Sequence, residues 1–278
     1  MNTIIIDFDK ANDRLHIAEQ GGWQSRHAAT SHLFLEALRT VRPALRSFRV
    51  VVFTGDRPAN GAAMAYCRRD GQNVIAIPDY LFWYWPEIGV PDYSELTKQM
   101  LRSSASLPVI DKLFWIGNVD THPSRKNLVR LAAERDDMRI ESMGWQGGAS
   151  ANASESRLPS IGSFFSLPDH CRYKYLLDMQ GVGHSGRLKV LLFSGRPVFV
   201  QDRPWKEYFH DMLVPFEHYI PVEESLGDLT AKLEWARKHP RECEHIAVAA
   251  QNFAAQNLTR EAAVEYLRRV LAERYHHG

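Results

Sequence analysis

Residues 173–195 read YKYLLDMQGVGHSGRLKVLLFSG, and this block constrains the fold more than any other stretch of the chain. An apolar run rich in Tyr and Leu gives way to three glycines, Gly181, Gly183 and Gly186, and then to the second apolar run LKVLLF. A strand that ends in glycines and opens into a helix belongs to a parallel α/β sheet, with the turn at the sheet's carboxyl edge. Such a turn is suited to phosphate, because glycines let backbone N–H groups approach oxygen atoms and the helix start adds a partial positive charge.

The rest of the chain agrees with that class. Strands are predicted at 3–8, 49–54, 73–77, 113–117, 138–142, 175–179, 198–201 and 218–222. Between them Phe34, Leu38, Val41 and Leu45 recur at helical spacing, as do Leu128, Leu131 and Ala132. Alternation of this kind predicts parallel sheets with helices on both faces. Residues 101–111 read as a connector and 144–156 as a flexible loop, so two lobes are expected, 1–108 and 109–257. The last helix, within 258–278, carries the stripe Val264, Leu267 and Leu271 and is expected to pack back on the first lobe.

Composition narrows the function. The 278 residues are 45% hydrophobic with a formal net charge of +1, which fits a sizeable core and argues against a nucleic-acid polymer as ligand. Three cysteines without CxxC spacing point to reduced thiols rather than a disulfide frame or a zinc site. The apolar run at the N-terminus is too short for a signal peptide, and no stretch reaches the roughly 20 apolar residues of a membrane span, so a cytoplasmic location is expected. Peripheral contact with the inner membrane stays open.

GVGHSG formally matches the dinucleotide pattern G-x-G-x-x-G, and Asp202 lies near the offset of about 20 residues expected for a ribose-binding acid. An NAD-dependent oxidoreductase is therefore one reading. Against it, the motif lies late in the chain, and the loop carries His184 and Arg187; a guanidinium beside the turn suits a diphosphate that must depart with extra charge. Asp7-Phe8-Asp9 is a DxD that reads as a strand end entering a turn.

The block YKYLLDMQGVGHSGRLKVLLFSGRPVFV, followed by WKEYF at 205–209 and LVPFEHYIPV at 213–222, resembles the family-90, CAP10-like glycosyltransferases. FWIGNVDTHPSRKNL at 114–128 is similar to a second family segment, with Asn118 and Val119 where the family has Ser and Arg. The resemblance implies a GT-B-like α/β fold of two Rossmann-like lobes and inverting transfer of glucose or xylose from a UDP-sugar, with no metal and no other cofactor. Arg187 and Arg125 would hold the diphosphate, with Asn118, Val182, Gly183, His184, Ser185 and Gly186 lining the donor site. Asp56, just past an apolar strand and before Pro58, would be the general base, with Asp79 in reserve. From the cluster Tyr80, Trp83 and Trp85 an aromatic wall for a glycan acceptor is expected. The acceptor would be a glycan or lipid-linked saccharide, as in a bacterial-style enzyme of lipopolysaccharide or surface-polysaccharide synthesis. A protein that binds the sugar nucleotide without turnover is the remaining alternative.

Overall fold

The computed structural model describes residues 2–145, 159–160 and 165–276. Most of the expected loop, residues 146–156, lies outside the described residues; Gly144–Trp145 and Pro159–Ser160 pair as a short antiparallel ribbon, β8 and β9.

The first sheet has the order β2-β1-β3-β4-β5, from Thr3–Asp9 (β1), Arg14–Gln20 (β2), Phe48–Phe53 (β3), Met64–Ala65 (β4) and Ile75–Ala76 (β5). Here the structure departs from an all-parallel expectation. β1 runs antiparallel to both β2 and β3, and only β3-β4-β5 are parallel. The unexpected strand, RLHIAEQ, is largely exposed and carries charge on its outer face, so its apolar alternation is weak. The DxD closes the β1–β2 hairpin: Ala11 N and Asn12 Nδ2 donate to Asp9 at 3.0 and 2.6 Å.

The second sheet is wholly parallel, with the order β12-β11-β10-β6-β7. Its strands are Ile110–Gly117 (β6), Met138–Ser142 (β7), Tyr173–Asp178 (β10), Val198–Gln201 (β11) and Ile220–Val222 (β12). Both faces are buried, as a parallel sheet requires. Phe114, Ile116 and Leu176 point into an apolar cluster that continues into the first sheet through Phe82, Tyr93, Val50 and Ile4. Their neighbours Leu113, Trp115, Tyr175 and Leu177 pack on the opposite side against Leu229 and Leu233.

The helices are Gln24–Val41 (α1), Tyr93–Ser104 (α2), Pro123–Ala132 (α3), Leu188–Leu191 (α4), Leu229–Lys238 (α5), Pro240–Asn257 (α6) and Arg260–Tyr275 (α7). The connector at 101–111 is thus shorter than the sequence suggests, its first residues continuing α2 and its last opening β6. α7 returns to the first sheet, where Tyr275 stacks on Phe48 at 4.3 Å and Tyr266 donates to Ala76 O at 3.0 Å. Arg260 at its start donates to Phe82 O and Trp83 O and pairs with Asp92 at 2.7 Å. No helix among the described residues is long and apolar enough to cross a membrane.

Candidate active site

Strands β10 and β6 are neighbours at the centre of the second sheet, and their carboxyl ends converge on an unbalanced group of charges. Arg125, on α3, is 7% exposed. Its guanidinium donates to Gln180 O at 2.8 Å, Asn118 O at 2.8 Å and Met179 O at 3.3 Å. Arg187 donates to Ile116 O, near the end of β6. Neither guanidinium has a carboxylate within 4.0 Å among the described residues. The single acid facing them among the described residues, Asp178, is already taken: Arg203 donates to one oxygen and Ser185 Oγ to the other, both at 2.5 Å. Burial, and then the Arg187 and Arg203 charges, push the Arg125 guanidinium down to about 9; burial and Arg203 lower Arg187 as well. Desolvated guanidiniums resting on carbonyl oxygens favour an anion that would relieve their repulsion.

The glycine loop between β10 and α4 meets the turn after β3. A Cβ on Gly183 would stand 1.7 Å from Asp56 O, so only glycine fits there. Arg57 Nε donates to Val182 O across the same contact. The helix that follows is a single α turn extended by a short 3₁₀ segment, Leu192–Ser194, and stopped by Gly195 in the left-handed region at φ 61°. The expected helix-dipole contribution is therefore small, and the guanidiniums supply most of the positive charge.

Asp56 lies just past β3, with its side chain 46% exposed and its Oδ1 2.9 Å from Arg26 Nη1. Burial alone would raise its carboxyl, but Arg26, His184 and Arg57 outweigh that and hold it below the ordinary carboxylate range. It is ionised at neutral pH and can accept a proton. Arg26 in turn lies 4.6 Å over the ring of Tyr80. Tyr80 meets Trp85 edge-on at 5.4 Å, and Trp85 borders Gly186 of the loop. Of the three predicted aromatic residues only Trp85 thus stands beside the loop; Tyr80 is a buried ring beneath Arg26 and cannot form a wall for an acceptor. Trp83 instead stacks on His32 at 5.0 Å, with Arg260 over its ring at 4.6 Å.

Three other predicted roles need correction. Asp79 is fully buried: its Oδ1 accepts from Leu81 N, and its Oδ2 accepts from Lys189 Nζ and contacts His184 Nε2, both at 3.0 Å. Lys189 and His184 overcome the effect of burial and bring its carboxyl down to about 2, which makes it a poor base with no path to an acceptor. The His184 side chain points to Asp79 rather than to the donor side of the loop; burial would lower it, but Asp79, Cys67 and Glu207 push it up to about 10. The Asn118 amide oxygen accepts from Asp120 N at 2.8 Å, so its side chain serves the local turn. Asp79, His184 and Glu207 have the spacing of a metal site, yet Lys189 Nζ lies among them, 2.6 Å from Glu207.

Comparison with known proteins gives these groups a family. The model of Glycosyl transferase family 90 matches residues 5–276. The chain belongs to glycosyl transferase family 90. It is 25% identical to protein O-glucosyltransferase 1 of Rattus norvegicus over 265 residues, 90% of this chain and 66% of that protein. It is 32% identical to protein O-glucosyltransferase 2 of Danio rerio over 157 residues, 56% of this chain and 31% of that protein. The family-90 chain thus spans just under two thirds of the first relative and about a third of the second. Among solved structures, Anabaena HepE in complex with UDP-glucose overlaps 63% of this chain and 44% of its own, with 10% identity and a TM-score of 0.38. Membership in a transferase family sets aside the dinucleotide reading of GVGHSG.

Proposed function

We propose that this family-90 member transfers a sugar, glucose or xylose, from a UDP-sugar to a hydroxyl of a glycan or lipid-linked acceptor, with inversion. Lipopolysaccharide or another surface polysaccharide is the acceptor class we favour. The observation that carries the donor half is the pair of guanidiniums, buried Arg125 and half-buried Arg187, held by main-chain carbonyls with no acid of their own among the described residues. O-Glucosyltransferases among the relatives support the choice of a sugar nucleotide.

In the proposed reaction Asp56 Oδ2, the oxygen not engaged by Arg26, accepts the acceptor's hydroxyl proton as that oxygen attacks the anomeric carbon. The bond from that carbon to the diphosphate breaks on the opposite side, and the electron pair leaves with UDP. Arg125 and Arg187 neutralise the charge that develops there. Trp85, partly exposed beside the loop, is the ring left to the acceptor side, because Tyr80 is buried beneath Arg26. Because fixed guanidiniums can carry the leaving-group charge, transfer is proposed to need no divalent cation, and EDTA should leave turnover unchanged.

The test is titration calorimetry with UDP, GDP, CMP and NAD. UDP is expected to bind most tightly, with its affinity collapsing in Arg187→Ala, while uridine, which lacks the diphosphate, binds both proteins equally. Preference for NAD, or UDP binding indifferent to Arg187, would overturn the proposal.

A further inference from the structure

The donor guanidiniums leave a second cluster of buried charges unused. Asp79, His184, Lys189 and Glu207 form a closed group in which every side chain is almost wholly inaccessible. Lys189 Nζ lies 3.0 Å from Asp79 Oδ2, 2.6 Å from Glu207 Oε1 and 3.1 Å from Gly186 O. Two carboxylates face one ammonium and one imidazole, which Asp79 and Glu207 drive toward its protonated form against the effect of burial. His184 Nδ1 and Glu207 Oε2 have no hydrogen-bond partner among the described residues. A divalent metal in the same place would have to displace Lys189.

The four residues come from three parts of the chain, and two of those parts belong to the candidate site. Asp79 caps the turn that carries Tyr80, whose ring bears Arg26, which holds Asp56. His184 and the carbonyl of Gly186 belong to the glycine loop that ends in Arg187. Glu207 anchors the group to the segment after β11. At the far side, Gly183 presses on the Asp56 backbone, so a displaced loop would also displace the base.

We propose that Asp79, His184, Lys189 and Glu207 are positioning residues that set the placement of Asp56 relative to Arg187. The inference rests on the transferase reading above. Burying four charges where apolar side chains could pack is costly, and what charges add over an apolar joint is a single permitted arrangement. Misplacement of reacting groups by about 1 Å can cost on the order of 10²-fold in rate.

The test uses the full chain and the variants Asp79→Asn, Glu207→Gln, Lys189→Met and Lys189→Arg. UDP titration gives the affinity and the number of competent sites. The rate of UDP release, from whichever of UDP-glucose and UDP-xylose the wild type turns over faster, is then expressed per competent site. Positioning predicts UDP affinity within about threefold of wild type but turnover per site at least about tenfold lower in the first three variants. Lys189→Arg, which keeps the charge, should recover part of that loss. Variants that merely lose stability would show fewer competent sites, each turning over at the wild-type rate, and that result overturns the inference. Where Lys189→Met does not fold, the near-isosteric Glu207→Gln and Asp79→Asn decide by the same measure. A wild type that binds no UDP would overturn the transferase reading itself, an outcome recognisable before any variant is made.

Discussion

The glycine loop separates two groups of buried charge that differ in one respect. On one side three guanidiniums, Arg125, Arg187 and Arg203, face a single carboxylate among the described residues, Asp178. On its inner side Asp79 and Glu207 match Lys189 and His184, charge for charge. A balanced group needs no further charge and contributes to holding the folded chain together. An unbalanced one carries positive charge that folding alone does not need, and in the proposed function its partner is the donor diphosphate. The contrast separates a site from a joint more clearly than burial does, since both groups are buried.

The largest expected effect lies outside both groups and shows whether they serve a reaction. Asp56→Asn should reduce transfer by about 10²–10⁴-fold, the usual range for a lost general base, while UDP binding stays within a few-fold of wild type. Steady-state UDP release alongside UDP titration reads both numbers. Normal turnover would leave the unbalanced group as a binding site without this base.

The comparison itself is tested by exchanging effects between the groups. Lys189→Met leaves Asp79 and Glu207 facing each other without a cation and should cost about 3–5 kcal/mol, or on the order of 10 °C in melting temperature. Arg187→Ala removes a charge that has no acid and should change apo stability by less than about 1 kcal/mol. It should instead weaken UDP roughly 10–100-fold, the value of a charged hydrogen bond. Thermal melts with and without UDP suffice. Equal destabilisation by the two substitutions would erase the distinction.

A smaller effect is expected with pH. His184 titrates near 6.5 in an unfolded chain and is pushed up to about 10 in the folded one, through Asp79, Cys67 and Glu207. A raised folded value means that the protonated imidazole stabilises the fold fully below about 6.5, and that this stability is lost as pH climbs through about 10. The melting temperature should therefore decline between pH 7 and 10. His184→Asn should flatten that decline, whereas Arg187→Ala should leave it intact.

These two groups were not equally visible in the sequence. The unbalanced one could be approached from it, because Arg187 sits in the glycine motif and Arg125 in a segment that resembles a family signature. Arg203 could have been flagged by its place just after an apolar strand, and Asp178 as an acid inside the run YKYLLD. The balanced group could not. Asp79 and His184 are read from the sequence as a reserve base and a donor-site residue, while Lys189 and Glu207 have harmless local readings, a helix lysine and a glutamate in WKEYF. Only the fold brings them within hydrogen-bond distance. Gly183 teaches the same lesson, since its motif suggests a phosphate while its Cβ position is filled by the Asp56 backbone. The parallel sheet was legible because burial on both faces produces continuous apolar runs; the antiparallel edge was not, because exposed strands alternate weakly.

The smallest effect concerns Arg26, which belongs to neither group but joins them through Tyr80 and Asp56. Burial pushes the Asp56 carboxyl upward, and Arg26, then His184 and Arg57, hold it below its ordinary value. A carboxyl depressed in this way stays ionised, and competent as a base, until pH falls below the usual carboxylate range. Arg26→Met removes the first opposing charge, so the acid limb of the turnover profile should move to higher pH. At neutral pH the carboxyl remains ionised in the variant, and turnover should stay within about an order of magnitude of wild type. A pH–rate profile of UDP release for both proteins reads the limb directly. An unmoved limb together with a large loss at pH 7 would mean that Arg26 orients Asp56 rather than tuning it, and the chain of contacts from Asp79 to the base would then act through geometry alone.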